Sequence, residues 1–208
     1  MSQKRKIIWL VILVIFFISI SILVKYSNQT VVNFDYYINI YSNSIQTPTL
    51  NSTMLSVTKV CNVPESIFIF LVFGLFLLLK NKKRAFCLLT IATTLGTVLP
   101  LIIKPVIERV RPISNLLLET DFSFPSGHAT IATIFLLSSM FLVAPAIKNN
   151  FTKITFLICI YLIFPLVILS RVYLSVHWFS DVFAGILLGL ICYLISSYIC
   201  CLKKKNML

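Results

Sequence analysis

The stretch IIWLVILVIFFISISILV, residues 7–24, sets the fold class, because all 18 of its residues are uncharged and most are large and apolar. A run of this length matches the roughly 20 residues that an α-helix needs to cross a bilayer core about 30 Å thick. Five more apolar runs of comparable length follow, near 61–79, 85–103, 128–144, 154–172 and 178–201. The sequence therefore predicts an all-α integral membrane protein, built as a bundle of six transmembrane helices. Since no small-residue cleavage site follows the first run, we expect that run to be a retained anchor and not a cleaved signal peptide.

The composition of the 208 residues points to the same class, since 59% are hydrophobic and only 12% are charged. Soluble domains carry about 25% charged residues, so an ordinary soluble enzyme, a coiled coil and a disordered chain are all excluded. In a soluble protein the net charge of +12 would indicate nucleic-acid binding. Here the basic residues cluster at the ends of apolar runs, which is an orientation signal. We expect the lipid bilayer as a partner, and no nucleic acid.

Basic residues are unevenly divided between the two faces of the predicted bundle. If both termini lie on one side, that side carries 12 of the 18 Lys and Arg residues. These are Lys4, Arg5, Lys6, Lys80, Lys82, Lys83, Arg84, Lys148, Lys153, Lys203, Lys204 and Lys205. The opposite side carries the other six basic residues and all six acidic residues. Because cytoplasmic loops are enriched in Lys and Arg, we expect a multi-pass protein of the cell membrane with both termini in the cytoplasm.

The outer segment 25–60 is polar overall but contains apolar residues at steps of three and four. They are Val31, Phe34, Ile38, Tyr41 and Ile45, followed by Leu50, Met54 and Val57. This spacing predicts two amphipathic helices at the outer membrane interface. Either they cap the bundle as packing elements, or they control access of lipid.

We find no internal repeat, low-complexity tract or linker, so residues 1–208 are predicted to form a single domain. Gly185 and Gly189 in the last apolar run form a GxxxG pair, which lets helices approach closely. The pair serves either packing inside the bundle or dimerisation, and the sequence predicts no oligomeric state.

The chemistry of the chain centres on its only two histidines, each predicted to lie on the outer side at the start of an apolar run. His128 ends the turn PSGH, residues 125–128, and the backbone N–H groups of a following helix start would form a site for an anion such as phosphate. His177 precedes Asp181 by four residues, so on a helix the carboxylate would lie on the same face and accept from one ring nitrogen. The other nitrogen is then free to attack, and His128 remains to protonate a leaving oxygen.

Three basic residues, Lys104, Arg111 and Arg171, are predicted on the same outer face as the histidines. The planar fork of arginine binds two phosphate oxygens at once, so this group is suited to a phosphate site. Taken singly, each cation could equally be a snorkelling anchor at the interface. Zinc is the other alternative, but two His and one Asp barely complete a catalytic ligand set and leave three cations unexplained. We therefore expect a phosphate site with no metal and no cofactor.

These residues fall into three motifs in a fixed order. The motifs are Lys104-x6-Arg111-Pro112, Pro125-Ser126-Gly127-His128 and Ser170-Arg171-x5-His177-x3-Asp181. They resemble the three signature motifs of the type 2 phosphatidic acid phosphatase superfamily, in order and with no departure from the pattern. The motifs span residues 104–181, and the six-helix layout covers the rest of the chain.

The resemblance implies a role for each matched residue. His177 would be the phosphorylated nucleophile, Asp181 its partner, and His128 the acid for the departing alcohol or phosphate. The residues implied to hold the phosphate oxygens are Lys104, Arg111, Ser126, Gly127, Arg171 and Ser170. Membrane members of the superfamily dephosphorylate lipid phosphates or diphosphates without a metal. The small size and the Lys-, Asn- and Ile-rich composition indicate a bacterial chain, for which the resemblance implies undecaprenyl diphosphate or phosphatidylglycerol phosphate as the substrate. The division of basic residues between the two faces predicts an active site on the outer face.

Two other function classes stay open. A phosphotransferase would pass the phosphoryl group from His177 to a lipid or sugar acceptor instead of water. A transporter or scaffold without catalytic activity would be expected to show gaps in the motifs, and none is present.

Overall fold

A computed structural model of the chain describes residues 3–205, with side chains up to residue 200. The regular elements in this range are all helical and include eight α-helices. They are α1 (Gln3–Lys25), α2 (Gln29–Ser44), α3 (Pro48–Thr58), α4 (Val63–Leu79), α5 (Lys83–Ile107), α6 (Gly127–Ser138), α7 (Asn150–Tyr173) and α8 (Phe179–Lys205). A 3₁₀ turn (Lys59–Cys61) joins α3 to α4, and α6 continues into a π-helical segment (Ser139–Val143) and a second 3₁₀ turn (Ala144–Ala146). The predicted all-α class is confirmed, while the Lys203–Lys205 side chains used in the orientation prediction lie outside the described side chains.

Within the described residues, five helices are long and apolar enough to cross a bilayer. They are Gln3–Lys25, Lys83–Ile107, Gly127–Ala146, Asn150–Tyr173 and Phe179–Cys200. The remaining predicted span, 61–79, corresponds to α4, whose 17 residues reach about 25 Å at 1.5 Å each. This helix meets the same criterion only together with Pro48–Cys61, from which it is bent by 55°. The chain is thus a multi-pass membrane protein with five or six spans.

Helix α1 presents most of its apolar surface outward. Ile8, Phe16 and Ile22 are each more than half exposed, with Phe16 at 58%. Val24 is the buried residue of this helix. Such exposure would be costly in water and is favourable only against lipid chains, so it agrees with a membrane span.

Helices α6 and α8 pack closely at the centre of the bundle through the GxxxG pair of α8. A Cβ added at Gly185 would lie 2.5 Å from the Ser126 carbonyl oxygen, and one at Gly189 would lie 2.7 Å from the Cβ of Thr133. Neither distance is sterically allowed, so only glycine permits this approach. Packing inside the bundle is therefore confirmed for the pair. The Ser126 N–H also donates to the Asp181 carbonyl oxygen at 3.0 Å, which ties the starts of the two helices together.

The two amphipathic helices predicted in segment 25–60 are confirmed as α2 and α3. The apolar side of α3 packs against the end of α7 and the connection that follows it, with Leu50 and Met54 beside Tyr173 and Leu174. Helix α2 is oriented differently, since its buried residues are Asp35 and Ser42. Its apolar residues Phe34 and Tyr41 are at least half exposed. Helix α2 therefore turns Asp35 and Ser42 to the protein together with half-buried Val31 and Ile38, and it leaves other apolar residues largely exposed.

Candidate active site

The loop between α5 and α6 brings charged residues to one end of the bundle. Helix α5 continues beyond the predicted end at residue 103, so Lys104 lies in its last turn. The helix ends where Glu108 adopts a left-handed backbone conformation with φ of 58°. Residues 109–126 then form an irregular loop that leads into α6 and carries Arg109, Arg111, Glu119 and Asp121.

The three predicted phosphate cations meet the two histidines in one cavity of about 580 Å³. Lys104, Arg111, Arg171, His128 and His177 all line it. The Arg171 side chain is only 1% exposed, and those of Lys104 and Arg111 are 13% and 9% exposed. Snorkelling anchors keep their charged ends in water, so this degree of burial argues against that alternative. The Nε of Arg171 makes no hydrogen bond to the described residues and remains available as a donor.

Two acidic residues of the loop pair with these cations. Asp121 pairs with Lys104 and also accepts from Arg111 Nη2 at 2.5 Å. Glu119 accepts from Arg171 Nη2 at 2.6 Å. Partial burial would raise the pKa of Asp121, but the hydrogen bonds from Lys104 and Arg111 outweigh it and lower the pKa to about 2. The carboxylate is therefore ionised at neutral pH and is paired with two of the cations predicted to bind phosphate.

His177 lies in the connection between α7 and α8, two residues before α8 begins at Phe179. The expectation that His177 and Asp181 share a helix face is therefore wrong, although the two side chains do meet. Asp181 Oδ2 lies 3.6 Å from His177 Nδ1, a nitrogen that is buried with no hydrogen-bond partner among the described residues. His177 Nε2 lies 3.1 Å from Arg111 Nη1. Because a guanidinium can only donate, Nε2 carries the lone pair and the proton sits on Nδ1.

The electrostatic surroundings of His177 favour a neutral ring. Burial, followed by the positive charges of Arg171 and Arg111, lowers the pKa of His177 well below its usual range. A histidine in water titrates near pH 6.5, so this ring is neutral at pH 7 and carries a single ring proton. A neutral imidazole with its lone pair on Nε2 is the form that can act as a nucleophile, once the hydrogen bond from Arg111 Nη1 is given up.

His128 lies in the first turn of α6, at the end of the PSGH motif. Its Nε2 is 3.0 Å from Asn62 Oδ1, at the residue just before α4. Asn62 was not identified from the sequence. This contact orients the His128 ring in the cavity shared with His177.

The other predicted phosphate-binding residues occupy different positions. Gly127, the first residue of α6, lines the cavity. Ser126 caps α6, since its Oγ accepts from the Ala129 N–H at 3.4 Å. The Oγ of Ser170 donates to the Val167 carbonyl oxygen at 2.6 Å. Neither serine lines the cavity, so the structure brings together the cations, the histidines and Gly127 but not these two hydroxyls.

Asp181 is held by a residue that the sequence did not single out. Arg109 Nη1 donates to Asp181 Oδ1 at 2.6 Å, and Arg109 Nη2 donates to Asp35 Oδ2 at 2.5 Å. Both carboxylates are almost completely buried. A signal for Asp35 was present, because it stands at helical spacing between Val31 and Ile38 on the packed side of α2. No pattern distinguished Arg109 from an interfacial anchor.

Apolar side chains form the rest of the cavity wall. Ile67 and Phe70 from α4, Val98 and Leu101 from α5, and Ile131 from α6 line it beside the charged groups. The cavity therefore combines a cationic part suited to phosphate with an apolar part suited to a hydrocarbon chain.

Metal ligands do not cluster in the part of the chain that the structure describes. No three His, Cys, Asp or Glu side chains within residues 3–200 stand close enough to hold a metal ion. The zinc alternative thus has no ligand set among these residues.

Comparison with known proteins places the chain in a family. Residues 85–204, more than half of the chain, match the PAP2 superfamily. The chain belongs to the PAP2 superfamily. All three motifs of this PAP2 protein lie inside the matched range, so the resemblance seen in the sequence is confirmed.

Two curated relatives match the PAP2 protein over most of its length. Phosphatidylglycerophosphatase B of Bacillus subtilis (strain 168) is 34% identical over 153 residues, which cover 71% of this chain and 73% of the relative. An undecaprenyl-diphosphatase of Sulfolobus acidocaldarius is 32% identical over 186 residues, which cover 86% of this chain and 84% of the relative.

Two solved structures share the fold. The crystal structure of a transmembrane PAP2 type phosphatidylglycerolphosphate phosphatase from Bacillus subtilis superposes with a TM-score of 0.79 at 29% identity, covering 90% of this chain and 94% of that one. Aquifex aeolicus LpxE superposes with a TM-score of 0.55 at 25% identity, covering 78% of this chain and 93% of that one. The fold shared with the Bacillus structure extends beyond residues 85–204 to most of the helical bundle.

Proposed function

We propose that this PAP2 protein is a membrane lipid phosphatase that removes phosphate from a lipid phosphate or diphosphate through a phosphohistidine on His177, without a metal. The observation that carries the proposal is the shared cavity, in which two histidines and three cations adjoin an apolar wall. The relatives named as acting on phosphatidylglycerophosphate and on undecaprenyl diphosphate support the substrate class. Both lipids join a phosphate head to an apolar tail, and both therefore suit this cavity.

In the first step, the substrate phosphate displaces Glu119 and Asp121 and binds to Lys104, Arg111 and Arg171. The Nε2 lone pair of His177 attacks phosphorus, a P–N bond forms and the P–O bond to the leaving group breaks. His128 donates a proton to the departing oxygen. The three cations stabilise the negative charge on the phosphoryl oxygens in the transition state, which is the contribution that a metal ion makes in other phosphoryl-transfer enzymes.

In the second step, water attacks the phosphorus of phosphohistidine. His128, now unprotonated, accepts a proton from that water, the P–N bond breaks and inorganic phosphate leaves. His177 regains its lone pair at Nε2 and keeps its proton at Nδ1 throughout. Between the two steps its ring carries a positive charge that faces Asp181, and we expect the 3.6 Å separation of these groups to shorten in that state.

A panel of purified lipid phosphates, assayed for phosphate release in detergent, tests the proposed activity. We expect release from phosphatidylglycerol phosphate, undecaprenyl diphosphate or both, and no loss of rate in EDTA. Loss of activity in EDTA with recovery on adding zinc or magnesium would contradict metal independence. Phosphate that appears on an added lipid or sugar alcohol instead of in solution would indicate a phosphotransferase.

Replacing Asp121 tests whether the loop carboxylates compete with substrate. Asp121→Asn removes the charge that pairs with Lys104 and Arg111, so a phosphate mimic meets less competition. Since exposed ion pairs contribute up to ~1 kcal/mol, the inhibition constant for vanadate should fall about two- to fivefold. Glu108→Gln is the matched control, because Glu108 lies in the same region but pairs with Lys25, outside the cavity. An unchanged vanadate constant in Asp121→Asn would exclude the competition.

The excess of basic residues on the side of the termini supports a cytoplasmic location for both ends and an outer location for the cavity. Single cysteines in a background without the six native cysteines test this orientation. A membrane-impermeant thiol reagent applied to intact cells should label a cysteine at the exposed Asn115 and should not label one at the exposed Lys148. The neighbouring Asn149 is less suitable for the cysteine, because its side chain caps α7 and its replacement would disturb the helix start. The reverse labelling pattern would overturn the proposed orientation.

A further inference from the structure

A buried set of charged groups connects helix α2 to Asp181, although no residue of α2 lines the phosphate cavity. From this set we infer that Asp35 is a positioning residue. Through Arg109 it fixes Asp181 and leaves the negative charge of Asp181 available to His177. The inference rests on the nucleophilic role proposed for His177.

Asp35 is fixed by three hydrogen bonds on the protein side of α2. Its side chain is 1% exposed. Oδ1 accepts from the Ser180 N–H at 2.9 Å, and Oδ2 accepts from the Ser180 hydroxyl at 2.5 Å and from Arg109 Nη2 at 2.5 Å. A carboxylate buried to this extent is tolerated only with such partners. Its position relative to the start of α8 is therefore well defined.

Arg109 divides its guanidinium between two carboxylates. Nη2 binds Asp35, while Nη1 donates to Asp181 Oδ1 and to the Ser180 hydroxyl, both at 2.6 Å. The other oxygen of Asp181 accepts from the Trp178 N–H at 2.9 Å and faces His177 Nδ1. Both oxygens of Asp181 are thus held, and the one that is not bound by Arg109 points toward the proposed nucleophile.

The charge of this group explains why Asp35 matters to His177. Two carboxylates and one guanidinium carry a net charge of −1. If Arg109 were paired with Asp181 alone, that pair would be neutral and would stabilise a positive ring on His177 less. Phosphorylation at Nε2 creates such a positive ring beside Asp181. In a buried site the interaction is strong, because little water screens it. Asp35 therefore offsets Arg109 so that Asp181 acts as a full negative charge.

A purely structural role for Asp35 predicts a different outcome, and the chain offers a matched control for it. Asn39 lies one turn further along α2 and donates to the Ser175 hydroxyl at 3.0 Å. Ser175 belongs to the same α7–α8 connection as His177. Asn39→Ala therefore weakens the attachment of α2 to this connection without touching Asp181 or the cavity.

The test compares full-length Asp35→Asn, Arg109→Gln, the double variant and Asn39→Ala in detergent. The phosphohistidine formation rate, kcat, KM and melting temperature are measured with a lipid phosphate that the wild type hydrolyses. Asp35→Asn should slow phosphohistidine formation about 10- to 100-fold, by analogy with the loss of partners that orient metal-ligating residues, with KM nearly unchanged. The double variant restores a net charge of −1 at Asp181 and should be faster than Asp35→Asn. Asn39→Ala should lower the melting temperature and leave the rates unchanged.

Several results would overturn the inference. One is a wild-type phosphorylation rate in Asp35→Asn, and another is a double variant slower than Asp35→Asn. A third is an equal loss of rate in Asn39→Ala, which would show that only the attachment of α2 matters. Absence of phosphohistidine in the wild type is a distinct result, since it contradicts the proposed role of His177 itself.

If Asp35→Asn does not fold, Ser180→Ala takes its place, because it removes the hydroxyl shared by Asp35 and Arg109 without changing any charge. A slower phosphorylation at constant KM supports the inference there, and a wild-type rate overturns it.

Discussion

His177→Ala should reduce turnover on every lipid phosphate in the panel by at least about 10⁴-fold, the scale on which the loss of a covalent nucleophile acts. No other described group takes its place. Its Nε2 carries the lone pair that accepts from Arg111 in this structure, and the only other histidine of the chain is oriented by Asn62. Substrate binding should be weakened much less, because Lys104, Arg111 and Arg171 remain. The measurement is steady-state phosphate release together with vanadate binding.

The control for this variant is Asn39→Ala, which perturbs the same α7–α8 connection through Ser175 and should keep wild-type turnover. Melting temperatures of both variants establish that the helical bundle is intact. A folded His177→Ala protein that retains more than about one per cent of wild-type turnover would be incompatible with a covalent role on the scale expected for a nucleophile.

His128→Ala should lower turnover on lipid substrates by about 10²–10⁴-fold, which is the usual contribution of a general acid. The reason is that the departing oxygen of an alkyl phosphate needs a proton, and His128 is the group proposed to supply it. A nitrophenyl phosphate has a leaving group that departs without a proton, so the loss on that substrate should be much smaller. The measurement is kcat of wild type and variant on both substrates.

Asn62→Ala serves as the graded companion to His128→Ala, because it removes the contact at 3.0 Å that orients the ring but keeps the acid. It should show a smaller loss in the same direction. Equal losses on the lipid and the nitrophenyl substrates in His128→Ala would instead show that His128 binds phosphate or supports the fold, and would remove the proposed proton transfer.

The transmembrane helices could be predicted because apolar length is a direct consequence of bilayer thickness. The run 7–24 became α1, and the run 178–201 became most of α8. The end of α5 was placed too early, at residue 103, because the uncharged apolar run ends there at Lys104. The helix in fact continues to Ile107, and the left-handed Glu108 ends it. A single lysine and a proline in the last turn did not end this helix.

The motif residues of the cavity could also be predicted, because a phosphate site requires cations and nucleophiles at one face. Two kinds of contact could not. Asp35 and Arg109 are 74 residues apart, and a long-range ion pair leaves no periodic signal in a single sequence. Glu119 and Asp121 entered the sequence analysis only as acidic residues of one face, although they pair with Arg111 and Arg171, two of the cations predicted for phosphate. The spacing of four residues correctly predicted that His177 and Asp181 lie close together. The predicted shared helix face was wrong, since His177 precedes α8.

Trapping the covalent intermediate tests the central claim, that His177 carries the phosphoryl group. Wild type and His177→Ala are mixed with a ³²P-labelled lipid phosphate, quenched rapidly in alkali and digested, and the labelled peptide is mapped. We predict label in the wild type on the peptide that contains His177, stable in alkali and lost in acid, and no label in His177→Ala. Label on the His128 peptide, or an unlabelled wild-type enzyme that turns over at full rate, would contradict the phosphohistidine mechanism.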